Sequence, residues 1–251
     1  MSDRKKSYSE RGHAHTTRIT HWMVALAFFI LSMTGYLILM VHPRLYWGEV
    51  GNALTEAFME LPISRNYQHG GWAEPVPFDD TGVPPVSRVR KYDIFNQNGW
   101  ARSLHFLGAW LLVIAGLVYL LHGTISGHFR HHLLASVHPR TARGLLQDLK
   151  NHMSLKVRPA SGGPQYGCLQ KLTYLVVVFI MMPLAVVTGF AMSPAITAEY
   201  PFLSDMFGGF QSARTIHFFV SVALVLFVII HVLMVVMSGF RAQIRAMTVG
   251  K

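Results

Sequence analysis

Five of the 14 histidines fall inside long apolar stretches or at their ends: His21, His105, His122, His217 and His231. An ionisable side chain at membrane depth is costly and marks function by default, and a neutral imidazole is a strong ligand for haem iron. His217 and His231 stand 14 residues apart on one stretch. At about 100° per residue they point within ~40° of each other and lie ~21 Å apart along a helix. One helix face thus offers an imidazole at each of two levels, and each needs a partner at matching depth on another helix. Cysteine chemistry is excluded, because the single Cys168 allows no internal disulfide, no Cys-x-x-Cys-His haem attachment and no four-cysteine cluster. No set of catalytic side chains stands out; the chemistry indicated is cofactor binding.

The elements that must position these residues are membrane helices. The chain has 251 residues, 51% hydrophobic and only 14% charged, which points away from a soluble globule. Four apolar stretches, Ile19–Val41, Arg102–His122, Leu172–Met192 and Ile216–Met237, suffice to cross a hydrocarbon core of ~30 Å. A spanning segment must satisfy its backbone internally, so the predicted class is all-α, an integral membrane four-helix bundle. The first stretch is too long, and lacks the small-residue cleavage site, to be a signal peptide. Residues 1–18 form a tail and 19–251 one membrane domain, with connections at about 42–100 and 123–170.

Charge sets the orientation. Arg4, Lys5, Lys6, Arg11 and Arg18 precede the first span, while Arg130, Arg140, Arg143, Lys150, Lys156, Arg158 and Lys171 lie between the second and third. The connection after the first span instead carries the acids Glu49, Glu56, Glu60, Glu74, Asp79, Asp80 and Asp93. The positive-inside rule then places both termini in the cytoplasm. The formal charge of +10 belongs to membrane flanks facing anionic lipid, and a nucleic-acid partner is a poor reading. On this topology His105 and His217 are outer, and His21 and His231 inner. Two pairs follow, His105 with His217 and His21 with His231. His122 could compete for His231, but its 17-residue separation from His105 turns it ~100° off that face; it reads first as a headgroup, quinone or proton contact.

Arginine precedes three of the four ligand candidates at one offset: Arg18 before His21, Arg102 before His105 and Arg214 before His217. A residue three earlier lies on the same helix face one turn back, where a guanidinium can pair with haem propionates. The alternative is an interfacial anchor. Gly35 and Gly116 lie on the faces of His21 and His105 at the depth of the other pair, where flat rings need room or helices pack closely. The third span has no histidine and carries Pro183 and Gly189; it reads as closing the bundle. The connection 42–100 holds Tyr46, Trp47, Tyr67, Trp72 and Phe78, which suit either a docking surface or an inert cap. Thr141–Ser154 reads as an amphipathic stretch along the cytoplasmic surface.

This arrangement resembles the bacterial di-haem cytochrome b family that includes cytochrome b561 and the membrane subunits of formate dehydrogenase, nickel-iron hydrogenase and thiosulfate reductase. The family's ligand pattern falls on His21, His105, His217 and His231. Several strings are similar to the thiosulfate-reductase cytochrome b group: 42–48 (HPRLYWG), 126–130 (SGHFR), 170–174 (QKLTY) and 208–217 (GGFQSARTIH). The resemblance implies two haem b groups in a multi-pass protein of the bacterial inner membrane. It also implies electron transfer between an exchangeable quinone and a periplasmic catalytic subunit, of the molybdopterin oxidoreductase kind. His122, His152, Lys171 and Tyr174 are loose candidates for a quinone site. Competing readings are a self-contained quinone-linked enzyme, such as a superoxide oxidase, and a haem-free transporter; the long, acidic outer connection disfavours the former.

Overall fold

The computed structural model describes residues 15–52, 55–63, 67–68, 71–72, 98–127 and 168–250. The stretch Thr141–Ser154, His152, Phe78, Glu74, Asp79, Asp80, Asp93 and the basic residues before His15 lie outside them.

In chain order the elements are α1 (His15–Leu39), the two-residue strands β1 (Arg44–Leu45), β2 (Met59–Glu60), β3 (Tyr67–Gln68) and β4 (Gly71–Trp72), and then α2 (Asn98–Ile125). Next come α3 (Cys168–Val176), a π-helical turn (Val177–Met181) and α4 (Met182–Ala191), followed by α5 (Pro194–Thr197), α6 (Phe202–Asp205), α7 (Phe210–Met237) and α8 (Phe240–Thr248). Four helical stretches are long and apolar enough to cross a membrane: His15–Leu39, Gly99–Ile125, Leu172–Ala191 and Phe210–Met237. Their large apolar side chains face outward, as at Phe29, Leu107 and Ile230, each well over half exposed. In a lipid environment that is the unstrained arrangement, since tails are as apolar as the side chains they touch.

The π turn has a local cause. Pro183 has no N–H to donate and its ring crowds the carbonyl four residues back. The helix widens just before it, with the Met182 N–H bonded to Val177 O, five residues earlier. The span therefore continues through Pro183 to Ala191 without ending there.

The chain divides into two compact units. The terminal unit comprises residues 1–25, 113–183 and 223–251, and the loop unit residues 26–112 and 184–222. Each long helix contributes a segment to both.

In the loop unit, small residues let helices approach. A Cβ at Gly108 on α2 would lie 3.0 Å from Ile30 Cγ2 and 3.3 Å from Leu31 Cγ on α1, and Ala27, Ala101, Ala191 and Ala213 are fully buried. The chain after α1 does not drift into solvent. Strand β1 pairs antiparallel with β2, Arg44 and Glu60 form an ion pair at 2.8 Å, and Tyr46 is buried with its hydroxyl on Asn52 O.

This loop caps α7. The first N–H groups of a helix have no partner within it, and here loop oxygens supply them. Phe210 N donates to Glu49 Oε2 at 2.8 Å, while Gln211 N and Ser212 N donate to Gly48 O at 3.0 and 3.1 Å. In return Gly48 N donates to Ser212 Oγ at 2.8 Å and Thr215 Oγ1 donates to Tyr46 O at 2.6 Å. The backbones come so close that only glycine fits: Gly209 has φ of 112°, and a Cβ there would lie 2.6 Å from the carbonyl carbon of Gly48. The strings 42–48 and 208–217, far apart in sequence, are the two halves of this clamp.

Replacing Gly209 with Ala should cost about 2 kcal/mol or more, from the left-handed backbone and the contact with Gly48 together. A melt of the purified protein in detergent reads it as a lowered Tm; an unchanged Tm would show that the loop yields freely.

Candidate functional site

Two pairs of imidazoles face each other, one in each unit. In the loop unit, His105 on α2 and His217 on α7 have ring centres 6.4 Å apart with planes at 64°. In the terminal unit, His21 on α1 and His231 on α7 have ring centres 6.4 Å apart with planes at 54°. Their spacing on α7, with the helix unbroken from Phe210 to Met237, puts both α7 imidazoles on one face. His122 is exposed near the end of α2, and no ring contact joins it to His21 or His231 among the described residues.

The loop-unit pair is held by hydroxyls. Thr34 Oγ1 lies 2.9 Å from His105 Nδ1, and Thr188 Oγ1 lies 2.9 Å from His217 Nδ1. Both threonines are fully buried. Each is followed by a glycine against the same ring: a Cβ at Gly35 would lie 3.5 Å from His105 Cε1, and one at Gly189 would lie 3.7 Å from His217 Cε1. A methyl would just touch; any longer side chain there would push the imidazole. These threonines went unnoticed in the sequence because hydroxyls are common in membrane helices. The available signal is the Thr-Gly dipeptide inside two of the apolar stretches, 34–35 and 188–189.

Aromatic rings surround the terminal-unit pair. His21 meets the edge of Trp22 at 5.3 Å, and His231 stacks on Phe227 at 5.9 Å, which in turn contacts Tyr174 at 6.5 Å. The C-terminal helix α8 folds onto the start of α1. Its last-turn carbonyls, otherwise unpaired, accept from Trp22 Nε1 at 3.0 Å (Met247 O) and from Arg18 Nη1 at 2.9 Å (Thr248 O).

The three arginines thus have different surroundings. Arg18 keeps a buried Nε–H without an acceptor among the described residues. Arg102 is exposed. Arg214 donates to the carbonyls of His42 and Arg44, the latter at 3.0 Å, and to Gln211 Oε1 at 3.4 Å. Among the described residues its charge meets only neutral oxygens, and one of its tasks is to fasten the loop to α7. Gly116 has open space beside it, with no atom within 4 Å of where a Cβ would be.

What can such pairs do? Two imidazoles on opposite sides of one metal, each nitrogen about 2 Å from it and each ring centre about 1 Å further back, have centres about 6 to 6.5 Å apart. Both pairs meet that spacing. Yet among the described residues no third His, Cys, Asp or Glu joins either pair, so the side chains offer two axial ligands and nothing equatorial. A planar macrocycle that brings its own four nitrogens completes such a set, and haem fits.

Comparison with known proteins agrees. The family model described as prokaryotic cytochrome b561 matches residues 12–250. A relative from Azospira oryzae, provisionally named protein-methionine-sulfoxide reductase subunit YedZ1, is 27% identical over 223 residues, 89% of each chain. No solved structure matches the chain.

The clamp carries its own pH dependence. Burial first, and then the guanidiniums of Arg214 and Arg44, hold the His42 imidazole down to about 4 from 6.5. A histidine whose pKa falls on folding binds fewer protons when folded, so the clamp is at full strength above pH 6.5 and weakens as pH falls toward 4. The protection factors of the Gln211 and Ser212 amides, measured against their intrinsic exchange at each pH, should fall over that window in the native protein and stay level in His42→Gln. Equal slopes in both proteins would assign the pH response elsewhere.

Proposed function

Because the chain belongs to the prokaryotic cytochrome b561 family, haem-binding electron carriers that cross the bacterial inner membrane several times, we propose that it is the di-haem membrane subunit of a larger oxidoreductase. In this reading His105 and His217 hold one haem b and His21 and His231 a second. Both termini are cytoplasmic, so the loop-unit site is the outer one. Electrons pass between a membrane quinone on the inner side and a periplasmic catalytic subunit, dependent on a molybdenum cofactor, on the outer. The observation that carries it is the pair of imidazole pairs, each with ring centres 6.4 Å apart and each unable to complete a metal site alone.

When bound, haem would supply a one-electron carrier, held by His105 with His217 and by His21 with His231. The chain's own residues supply everything else. The four imidazoles supply ring nitrogens, and neutral imidazole is the form in which histidine ligates a metal. Arg18, with a spare buried N–H one turn before His21, is placed to take a propionate of the inner group. Arg214 places positive charge one turn before His217, where an outer propionate would partner a cation that otherwise meets only carbonyls and an amide.

The partner is supported by the clamped loop and by the relative's name, which describes a subunit of a reductase. The loop displays Trp47, Val50 and Phe58, all more than half exposed. Trp47 contacts Phe58 at 5.5 Å and Phe58 contacts Phe219 at 6.5 Å, two residues from His217. A short row of aromatic rings thus leads from an exposed, rigid loop to the outer ligand. On the inner side Tyr174, through Phe227, lies beside His231, which favours it among the quinone candidates over the exposed His122.

His217→Ala should remove the outer haem and His231→Ala the inner one, each leaving half the haem per protein in a reduced-minus-oxidised spectrum. Two haems retained in both variants would refute the ligand assignment. Affinity purification from the native membrane should bring down a soluble periplasmic subunit, and its loss on Trp47→Ala plus Phe58→Ala would place the docking on this loop.

A further inference from the structure

We infer that Thr34 and Thr188 are positioning residues for the outer centre: each accepts the Nδ1–H of a ligand imidazole, and so fixes which nitrogen is bare and how electron-rich it is.

The direction of these hydrogen bonds follows from counting protons. A threonine hydroxyl has one to give. Thr34 Oγ1 lies 2.7 Å from Ile30 O and Thr188 Oγ1 lies 2.7 Å from Leu184 O, the carbonyls four residues back on their own helices. Those carbonyls cannot donate, so each hydroxyl proton points along its helix. What remains toward the imidazole is a lone pair, 2.9 Å from Nδ1 in both cases. Every neighbour of Nδ1 named here is thus an acceptor, so Nδ1 carries the proton. A neutral imidazole has only one N–H, and Nε2 is left bare.

The same device occurs twice, on helices that give this pair no histidine. Thr34 on α1 serves His105 on α2, and Thr188 on α4 serves His217 on α7. The third span, which has no histidine of its own, thereby gains a specific task. Both threonines are fully buried, so their hydroxyls are kept from solvent. The terminal-unit pair differs: among the described residues His231 has ring contacts with His21 and Phe227 and no hydrogen bond. The two centres therefore differ in how their α7 ligand is oriented, by a hydroxyl in one and by a stacked ring in the other.

An acceptor on the far nitrogen makes the metal-bound one more basic and favours the oxidised iron. This inference rests on the proposed ligand assignment, and the experiment separates the two. The measurements are a potentiometric titration and low-temperature EPR of the purified holoprotein, with Thr34→Val, Thr188→Val, the double variant and the matching Ser variants. Valine keeps the shape and removes the acceptor; serine keeps the acceptor. One of the two redox waves should move upward in the Val variants by a threefold to tenfold shift in its equilibrium, tenfold being about 59 mV for one electron. Its low-spin EPR signal should change as the imidazole plane is freed, the other wave should stay in place, and both Ser variants should match the native protein. Loss of only the outer haem in a Val variant, with full haem in its Ser counterpart, also supports the inference. Two unmoved waves with native EPR signals in both Val variants would overturn it, as would loss of haem from Val and Ser variants alike. Failure of His217→Ala to lower the haem content would instead strike the ligand assignment beneath it.

Discussion

A metal-binding imidazole must be neutral, must be bare on the correct nitrogen and must be held at one distance from its partner. Water can meet none of these demands for it inside a bilayer. An imidazole in hydrocarbon is pushed toward its neutral form without help, but its remaining N–H still needs an acceptor, and its position needs a rigid support. The structure answers both needs with backbone. At the loop-unit pair, two helices bend a threonine proton onto their own carbonyls and offer the freed lone pair to the histidine. The close approach that this requires is set by Gly35, Gly108 and Gly189, where any large side chain would hold the helices or the ring away.

The clamp at the start of α7 follows from the same scarcity of partners. The first turn of α7 has unpaired N–H groups only one or two turns before His217, and the loop supplies Gly48 O and the Glu49 carboxylate to satisfy them. Arg214 then ties the carbonyls of His42 and Arg44 to the same helix face. The exposed aromatic residues of this loop and the imidazole of His217 are therefore parts of one rigid construction.

Much of this was legible beforehand. Spans, helical class and the pairing of His105 with His217 and His21 with His231 came from hydropathy and a fixed helical repeat, because both signals are local: a helix rotates by the same angle per residue whatever surrounds it. Rotation alone ranks His122 below the other candidates as a ligand, and among the described residues it is exposed with no ring contact to either pair. The arginines illustrate the limit. Their common offset from histidine suggested one shared role, yet Arg18 meets the end of α8, Arg102 meets solvent and Arg214 meets a loop, since an offset fixes a face and says nothing of what lies across from it.

The amino-acid sequence by itself determined which stretches form long apolar helices and which residues share a side of each, because hydropathy and helical periodicity act over a few neighbours. Only the tertiary structure decided the partners: Thr34 and Thr188 against the imidazoles, residues 42–49 over the start of α7, and α8 against Arg18 and Trp22. Those contacts join segments from tens of residues to more than two hundred residues apart. They depend on where carbonyls are left without donors once the helices have packed, a quantity that no local pattern encodes.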